Sequence, residues 1–284
     1  MSMTYEVKKI NDVKVKKVKC SAKQDDRPIR GLDLFGEIYA NIFLCAKKKS
    51  GKTSTIYKII KECMGKKTKV IAFVSTLHKD ATWKSIREYC EGKGNEFIGH
   101  TSLKEDGEDL LDTLVKELES EAEKEYDDNN IDERLKQLER KLCPVLCEVD
   151  SDDDEPKKKR ERKEKYQSPE YLILLDDLSN ELKSKSLVSL LKKNRHFKAK
   201  IIVSSQYLND LLPESRKQQD YFLVFKGQSN EKLEEIRRDA DVGLEEEELR
   251  DVYKFATEKQ FSFLYIDTRN NTFRRNFNYL IQIR

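Results

Sequence analysis

The chain has 284 residues, of which 37% are hydrophobic and 38% charged, with 56 Lys or Arg against 53 Asp or Glu and a formal net charge of +3. That length accommodates one large α/β domain or a domain carrying an insertion, and the apolar content is too high for a uniformly disordered chain. No stretch approaches the roughly 20 apolar residues that span a bilayer, and residues 1–20 lack the apolar run of a secretion signal, so no membrane contact is expected.

The six cysteines, at 20, 45, 63, 90, 143 and 147, are read as reduced thiols of an intracellular protein. Only Cys143 and Cys147 lie close together, and the three histidines lack ligand spacing, so a Cys or His metal site is not expected.

Charge is unevenly distributed. Residues 104–165 carry 14 basic and 23 acidic residues, which leaves +12 on the rest of the chain. Blocks such as Asp152-Asp153-Asp154-Glu155 and Lys157-Lys158-Lys159-Arg160 resist burial. Between the acidic residues of Glu117 to Asp128 and these blocks, Ile131, Leu135, Leu138 and Leu142 recur at helical spacing. Residues 104–165 are therefore expected to be an insertion, a charged helix or hairpin followed by a flexible tail. The basic run suits a nucleic-acid contact or an import signal, and equally a solvated loop end.

In chain order, residues 1–34, with the alternating Val13-Lys14-Val15-Lys16-Lys17-Val18, read as an N-terminal strand or arm. The domain proper spans 35–284. Ala40 to Cys45 is a buried strand, and Ile56, Ile59, Ile60 and Cys63 mark the helix after it, which Gly65 stops. Val70–Val74 is a second strand, Trp83–Cys90 a second helix, and Glu96–Gly99 a short strand. Beyond the insertion, Tyr171–Leu175, Lys200–Ser204, Tyr221–Phe225 and Phe261–Ile266 read as strands, with a helix at Leu187–Lys193. Continuous apolar strands separated by helices predict an α/β fold with a mainly parallel sheet covered on both faces. Ligands bind such sheets at the carboxyl ends of their strands.

The chemistry starts at the end of the first strand. Cys45-Ala46-Lys47-Lys48-Lys49-Ser50-Gly51-Lys52-Thr53 has the form of a phosphate loop, except that Ala46 stands where the leading glycine is usual. A phosphate needs several backbone N–H groups converging at the positive end of a helix dipole, which the run Lys49 to Ser54 would supply. Gly51 permits close approach, Lys52 reaches the terminal phosphates of ATP, and the Thr53 hydroxyl holds Mg²⁺. A Gly-Lys-Thr triplet alone is common. Between a buried strand and a helix it is far more specific.

Tyr171–Leu175 runs directly into Asp176-Asp177, the form of a Walker B element. Asp176 would support the magnesium ion, and Asp177 stands where an ATPase places the group that polarises water. Two acidic residues capping a turn would look the same, but not downstream of a phosphate loop. The next strand ends in Ser204-Ser205-Gln206, where Gln206 could sense the γ-phosphate; Ser and Gln suit a plain strand-to-helix turn as well. Arg195 ends a helix, where it could act as an arginine finger on a neighbouring subunit or complement the helix dipole.

This ordered set, Gly51-Lys52-Thr53, then Leu174-Leu175-Asp176-Asp177, then Arg195-His196 and the strand ending in Gln206, resembles the genome-packaging ATPases of large eukaryotic DNA viruses, virophages and related transposons. They form a branch of the FtsK–HerA superfamily of DNA-pumping motors. The resemblance covers roughly 35–103 and 170–270. It implies a homo-oligomeric ring, commonly hexameric or pentameric, that threads double-stranded DNA into a capsid, with capsid or portal-region proteins as partners. It further implies Asp176 and Asp177 as the hydrolytic residues, Arg195 as the finger and Gln206 as the sensor, in the host-cell cytoplasm or a viral factory or associated with the virion. Other P-loop classes fit less well. A small-molecule kinase needs an arginine-bearing lid, a regulatory GTPase needs an Asn-Lys-x-Asp motif that is absent here, and a hydrolytically dead scaffold would not keep Lys52, Thr53, Asp176 and Asp177.

Overall fold

Alternate residues of each central strand enter opposite hydrophobic layers, which is why the apolar runs are continuous rather than alternating. In the computed structural model, residues 25–105, 107–124 and 164–283 are described. The chain runs β1 (Asn41–Cys45), α1 (Lys52–Cys63), β2 (Lys69–Val74), α2 (Ala81–Gly92) and β3 (Phe97–His100), then a small hairpin of β4 (Lys104–Glu105) and β5 (Glu108–Asp109). A helix at 110–124, here α3, follows. After it come β6 (Tyr171–Asp176), α4 (Lys185–Lys192), β7 (Ala199–Ser205), α5 (Pro213–Arg216), β8 (Tyr221–Phe225), α6 (Asn230–Asp239) and α7 (Glu246–Ala256). Three strands, β9 (Phe263–Asp267), β10 (Thr272–Arg275) and β11 (Tyr279–Ile281), close the described chain.

Nine strands form one sheet in the order β11-β10-β9-β8-β1-β7-β6-β2-β3. From β3 to β8 all neighbours are parallel, and β8, β9, β10 and β11 continue it antiparallel. The sheet is thus mainly parallel, as the buried apolar runs predict, and the antiparallel meander is an addition the sequence reading does not contain.

Phe43, Ile71, Ile173, Val203, Phe222 and Leu264 face one layer, where α3, α4, α6 and α7 pack. Ile42, Leu44, Val70, Leu174, Ile202 and Leu223 face the other, closed by α1 and α2 through Ile56, Ile59, Ile60, Trp83 and Ile86.

The first part of the charged segment is not all solvated. Leu111, Val115 and Leu118 of α3 are buried in the first layer, and Lys116, Glu117 and Glu119 lie among them in sequence. This is an amphipathic helix whose polar face dominates the charge count. The helical spacing at 131–142, the acidic and basic runs at 152–160 and the strand-like pattern at 13–18 lie outside the described residues. Residues 25–34 lie against the segment just before β6, where Ile29 bridges Gln167 and Arg30 N–H donates to the Gln167 carbonyl at 2.8 Å. Phe35 then joins Tyr221, Tyr265 and Phe277 in an aromatic cluster, with the Tyr265 hydroxyl donating to the Leu34 carbonyl.

One polar residue is out of place in this core. Lys200, on β7, is fully buried. Its Nζ donates to the Glu37 carbonyl at 2.7 Å and lies 5.0 Å from the centre of the Phe35 ring. Burial pushes its pKa below 10.5. The folded state therefore binds the proton less tightly than the unfolded chain, and stability is lost as pH falls from 10.5 through the folded value. Lys200→Met should raise stability at neutral pH by about 1 kcal/mol, or roughly 3 °C. Melting curves at pH 7 and above 10.5 check this, because the gain should vanish once both states hold a neutral amine.

Candidate nucleotide site

Two loops at the carboxyl ends of the parallel strands β1 and β6, which flank β7, build the site. The segment after β1 starts inside the sheet: Ala46 N–H donates to the Ser205 carbonyl at 3.0 Å, and the Ala46 side chain is fully buried in the α1–α2 layer. Ala46 does not take a positive φ, whereas Lys49 does at 61° and Gly51 at 92°. The freedom of glycine is therefore needed at 51 and not at 46, which accounts for alanine in place of the usual glycine. Gly51 is the N-cap of α1, and its carbonyl accepts from the Thr55 N–H and hydroxyl. No acidic side chain occupies the first turn. The N–H groups of Lys52, Thr53 and Ser54 thus open the helix with no intrahelical acceptor, at the positive end of its dipole.

Strand β6 supplies the acidic half. Asp176 is its last residue and lies between Val74 of β2 and Ser204 of β7 in register. The turn begins at once: Asp177 has φ 55°, a left-handed conformation that aspartate tolerates better than most residues, and its N–H donates to the Ser204 carbonyl at 3.2 Å. Lys52 spans the two loops, with Nζ 3.0 Å from Asp176 Oδ1 and 2.5 Å from Asp177 Oδ1. Burial pushes the Asp176 pKa up, opposed by the Lys52 ammonium, while the neighbouring Asp177 carboxylate adds to the rise.

An ammonium between two carboxylates, at a helix N-terminus, can grip a polyphosphate and a divalent cation together. The Ser50 hydroxyl is buried with no hydrogen-bond partner among the described residues, so the loop carries an unused polar group. These donors fit a nucleotide's phosphates, and Thr53 and Asp176 are oxygen donors of the kind Mg²⁺ prefers.

The other expected residues lie apart. Gln206 directly follows β7, at the same end as the phosphate loop, and its carbonyl receives Lys232 Nζ at 3.3 Å and the Cys45 thiol at 3.9 Å. Arg195 precedes β7 and so sits at the opposite end of that strand, roughly 20 Å away at about 3.3 Å per residue. Its side chain is 59% exposed and meets Glu37 at 3.5 Å. Arg195 therefore cannot serve the nucleotide of its own chain; any finger role is toward another subunit.

Sequence reasoning missed a second tier around the loop. Gln228 Nε2 donates to the Cys45 carbonyl at 3.4 Å. Gln228 N–H in turn donates to the Tyr253 hydroxyl, which donates to the Phe225 carbonyl at 2.9 Å. Lys232 Nζ lies 3.8 Å from the centre of the Tyr207 ring. The Cys45 thiol, buried behind the loop, is pushed up to about 12 and is held as an inert core group. None of these residues stands in a motif, so only the fold could bring them here.

A mainly parallel sheet with a phosphate loop after one central strand and paired carboxylates after another defines a P-loop nucleoside triphosphatase. Residues 139–269 match the family model described as Poxvirus A32 protein. The matched stretch holds Asp176, Asp177, Arg195 and Gln206, and the resemblance to packaging ATPases read from the ordered motifs stands.

Among solved structures, the chain is similar to the genome packaging NTPase B204 of Sulfolobus turreted icosahedral virus 2 in complex with AMP. The two are 17% identical over 87% of this chain and 100% of that one, with a TM-score of 0.49. The B204 DNA-packaging ATPase of Sulfolobus turreted icosahedral virus is 14% identical over 83% and 95%, with a TM-score of 0.48. The cytoplasmic domain of the Thermomonospora curvata type VII secretion ATPase EccC is 15% identical over 80% of this chain and 24% of that one, with a TM-score of 0.48. No protein of curated function matches the chain.

Proposed function

We propose that this protein hydrolyses ATP to drive double-stranded DNA into a viral capsid. The hydrolytic part rests on one observation, the meeting of Lys52 with Asp176 and Asp177 at the carboxyl ends of β1 and β6. The packaging part rests on the Poxvirus A32 protein match over residues 139–269. The +12 of charge outside 104–165 suits a phosphate-backbone partner.

In this reading the N–H groups of residues 50–54 cradle the β- and γ-phosphates, and Lys52 leaves its carboxylate partners for the γ-phosphate. Asp177, released from Lys52, accepts a hydrogen bond from the attacking water and aligns it. Thr53 and Asp176 would hold Mg²⁺, which supplies charge neutralisation to the phosphates when bound. Gln206, beside the loop, would report the presence of the γ-phosphate to β7. Assembly into a ring would bring Arg195 of one subunit to the γ-phosphate of the next, with capsid or portal-region proteins seating the ring in the host-cell cytoplasm or viral factory.

Steady-state ATP hydrolysis with magnesium, with and without long double-stranded DNA, tests this alongside the mass in solution. DNA-stimulated turnover by a ring-sized assembly is the expected result; turnover indifferent to DNA would sink the translocation reading while leaving the nucleotide site. Arg195→Ala should bind nucleotide normally yet lose roughly a thousandfold in turnover within the assembly. Full turnover in that variant would leave Arg195 a helix-end residue paired with Glu37.

A further inference from the structure

The phosphate loop has an aromatic neighbour that the motifs do not predict. Strand β9 runs antiparallel to β8, with Phe225 opposite Phe263, so the start of β9 returns to the carboxyl end of the sheet. Since β8 pairs with β1, residues 257–262 turn beside the phosphate loop. There Phe261 lies over Gly51: a Cβ at Gly51 would meet the ring's Cδ1 at 3.3 Å and its Cγ at 3.8 Å.

Two properties of Phe261 have no structural reason of their own. The side chain is 58% exposed, so it gains little from burial. Its backbone holds φ 64°, a conformation that disfavours bulky side chains and favours glycine. The loop is nonetheless pinned. Lys226 Nζ donates to the Glu258 carbonyl at 2.7 Å, Lys226 N–H donates to the Ser262 carbonyl at 3.3 Å, and the Thr257 hydroxyl donates to the Tyr253 carbonyl at 2.7 Å. A flat apolar ring is thus held in place beside the turn that grips the phosphates.

We propose that Phe261 is the stacking platform for the nucleobase of the bound nucleoside triphosphate. This rests on the phosphate-loop reading and extends it to the other end of the nucleotide. Once Lys52 and the α1 N–H groups hold the phosphates, the base is the part of the ligand that gains from a flat apolar surface. Stacking uses the π-face and not the polar edge of a base, so it tolerates every base. Purines cover more of the ring than pyrimidines, so Phe261 should favour ATP and GTP alike over CTP and UTP.

Calorimetric titration of the full chain with ATP and, separately, with inorganic triphosphate tests the assignment. Phe261→Ala should weaken ATP binding about tenfold and leave inorganic triphosphate binding unchanged, with Phe261→Tyr restoring the ATP affinity. Phe261→Gly should lose the same ATP affinity without a lower melting temperature, because glycine relieves the backbone. Native ATP affinity in Phe261→Ala would overturn the platform, as would equal loss of both ligands, which marks a structural prop for the loop. If the native chain bound neither ATP nor triphosphate, the phosphate-loop reading would fall and the platform with it. Triphosphate binding with an indifferent Phe261→Ala overturns the platform alone.

Discussion

Lys52→Ala should lower ATP hydrolysis at least about a hundredfold, the scale set by removing one charge-stabilising group from a preorganised site. Lys52 is buried, and its Nζ is shared between two carboxylates 3.0 and 2.5 Å away. The variant loses the cation that would meet the γ-phosphate and leaves Asp176 buried without its partner. Burial already raises the Asp176 pKa, and Lys52 opposes that rise. Without the ammonium the carboxyl holds its proton to higher pH. A carboxyl whose folded pKa exceeds its unfolded value stabilises the fold below the unfolded value and loses that advantage as pH climbs through the folded one. The melting temperature of Lys52→Ala should therefore fall further behind that of the native chain as pH rises from 3.8 toward neutrality. Turnover assays and a pH series of melting curves check the two halves. Native turnover would show that Lys52 is only a counter-ion.

Asp177→Asn should retain nucleotide binding and lower the turnover number by roughly 10²- to 10³-fold, as expected when a group that aligns and activates water is neutralised. The substitution suits the question because asparagine is isosteric and tolerates the left-handed φ of 55° at this position. Fold and loop geometry should persist, so a lost rate would belong to the carboxylate. Asp176→Asn should differ, weakening magnesium-dependent binding as well as turnover. Single-turnover kinetics beside equilibrium binding separate the cases. An unaltered rate in Asp177→Asn would move the water-activating role to another residue.

The legible part of the fold was the part with two buried faces. Val70–Val74, Tyr171–Leu175 and Tyr221–Phe225 are continuous apolar runs because both sides of each strand are covered. The fold class and the positions of Lys52, Asp176 and Gln206 followed from them. Strands β10 and β11 escaped because Thr272-Phe273-Arg274-Arg275 and Tyr279-Leu280-Ile281 are short, half-exposed strands at the end of the sheet. A charged helix was expected within 104–165, but not its packing into the core, because the buried stripe of the helix at 110–124 needs only Leu111, Val115 and Leu118 among charged neighbours. Gln228, Tyr253 and Phe261 carry no motif at all. They reach the loop through chain reversals between β8 and β9, and a contact made by topology leaves no local pattern to read.

The place of β1 in the middle of nine strands has a mechanical consequence. A loop mounted on the centre of a hydrogen-bonded plate, packed on both sides, has little room to recoil by itself. Force arising when a γ-phosphate departs would pass into β7 through the Ala46–Ser205 bond and into β8 through Gln228, and both strands would move with β1. In the proposed ring such a subunit would work as a stiff lever: displacement would accumulate where one lever meets the next, with little dissipated as bending within it.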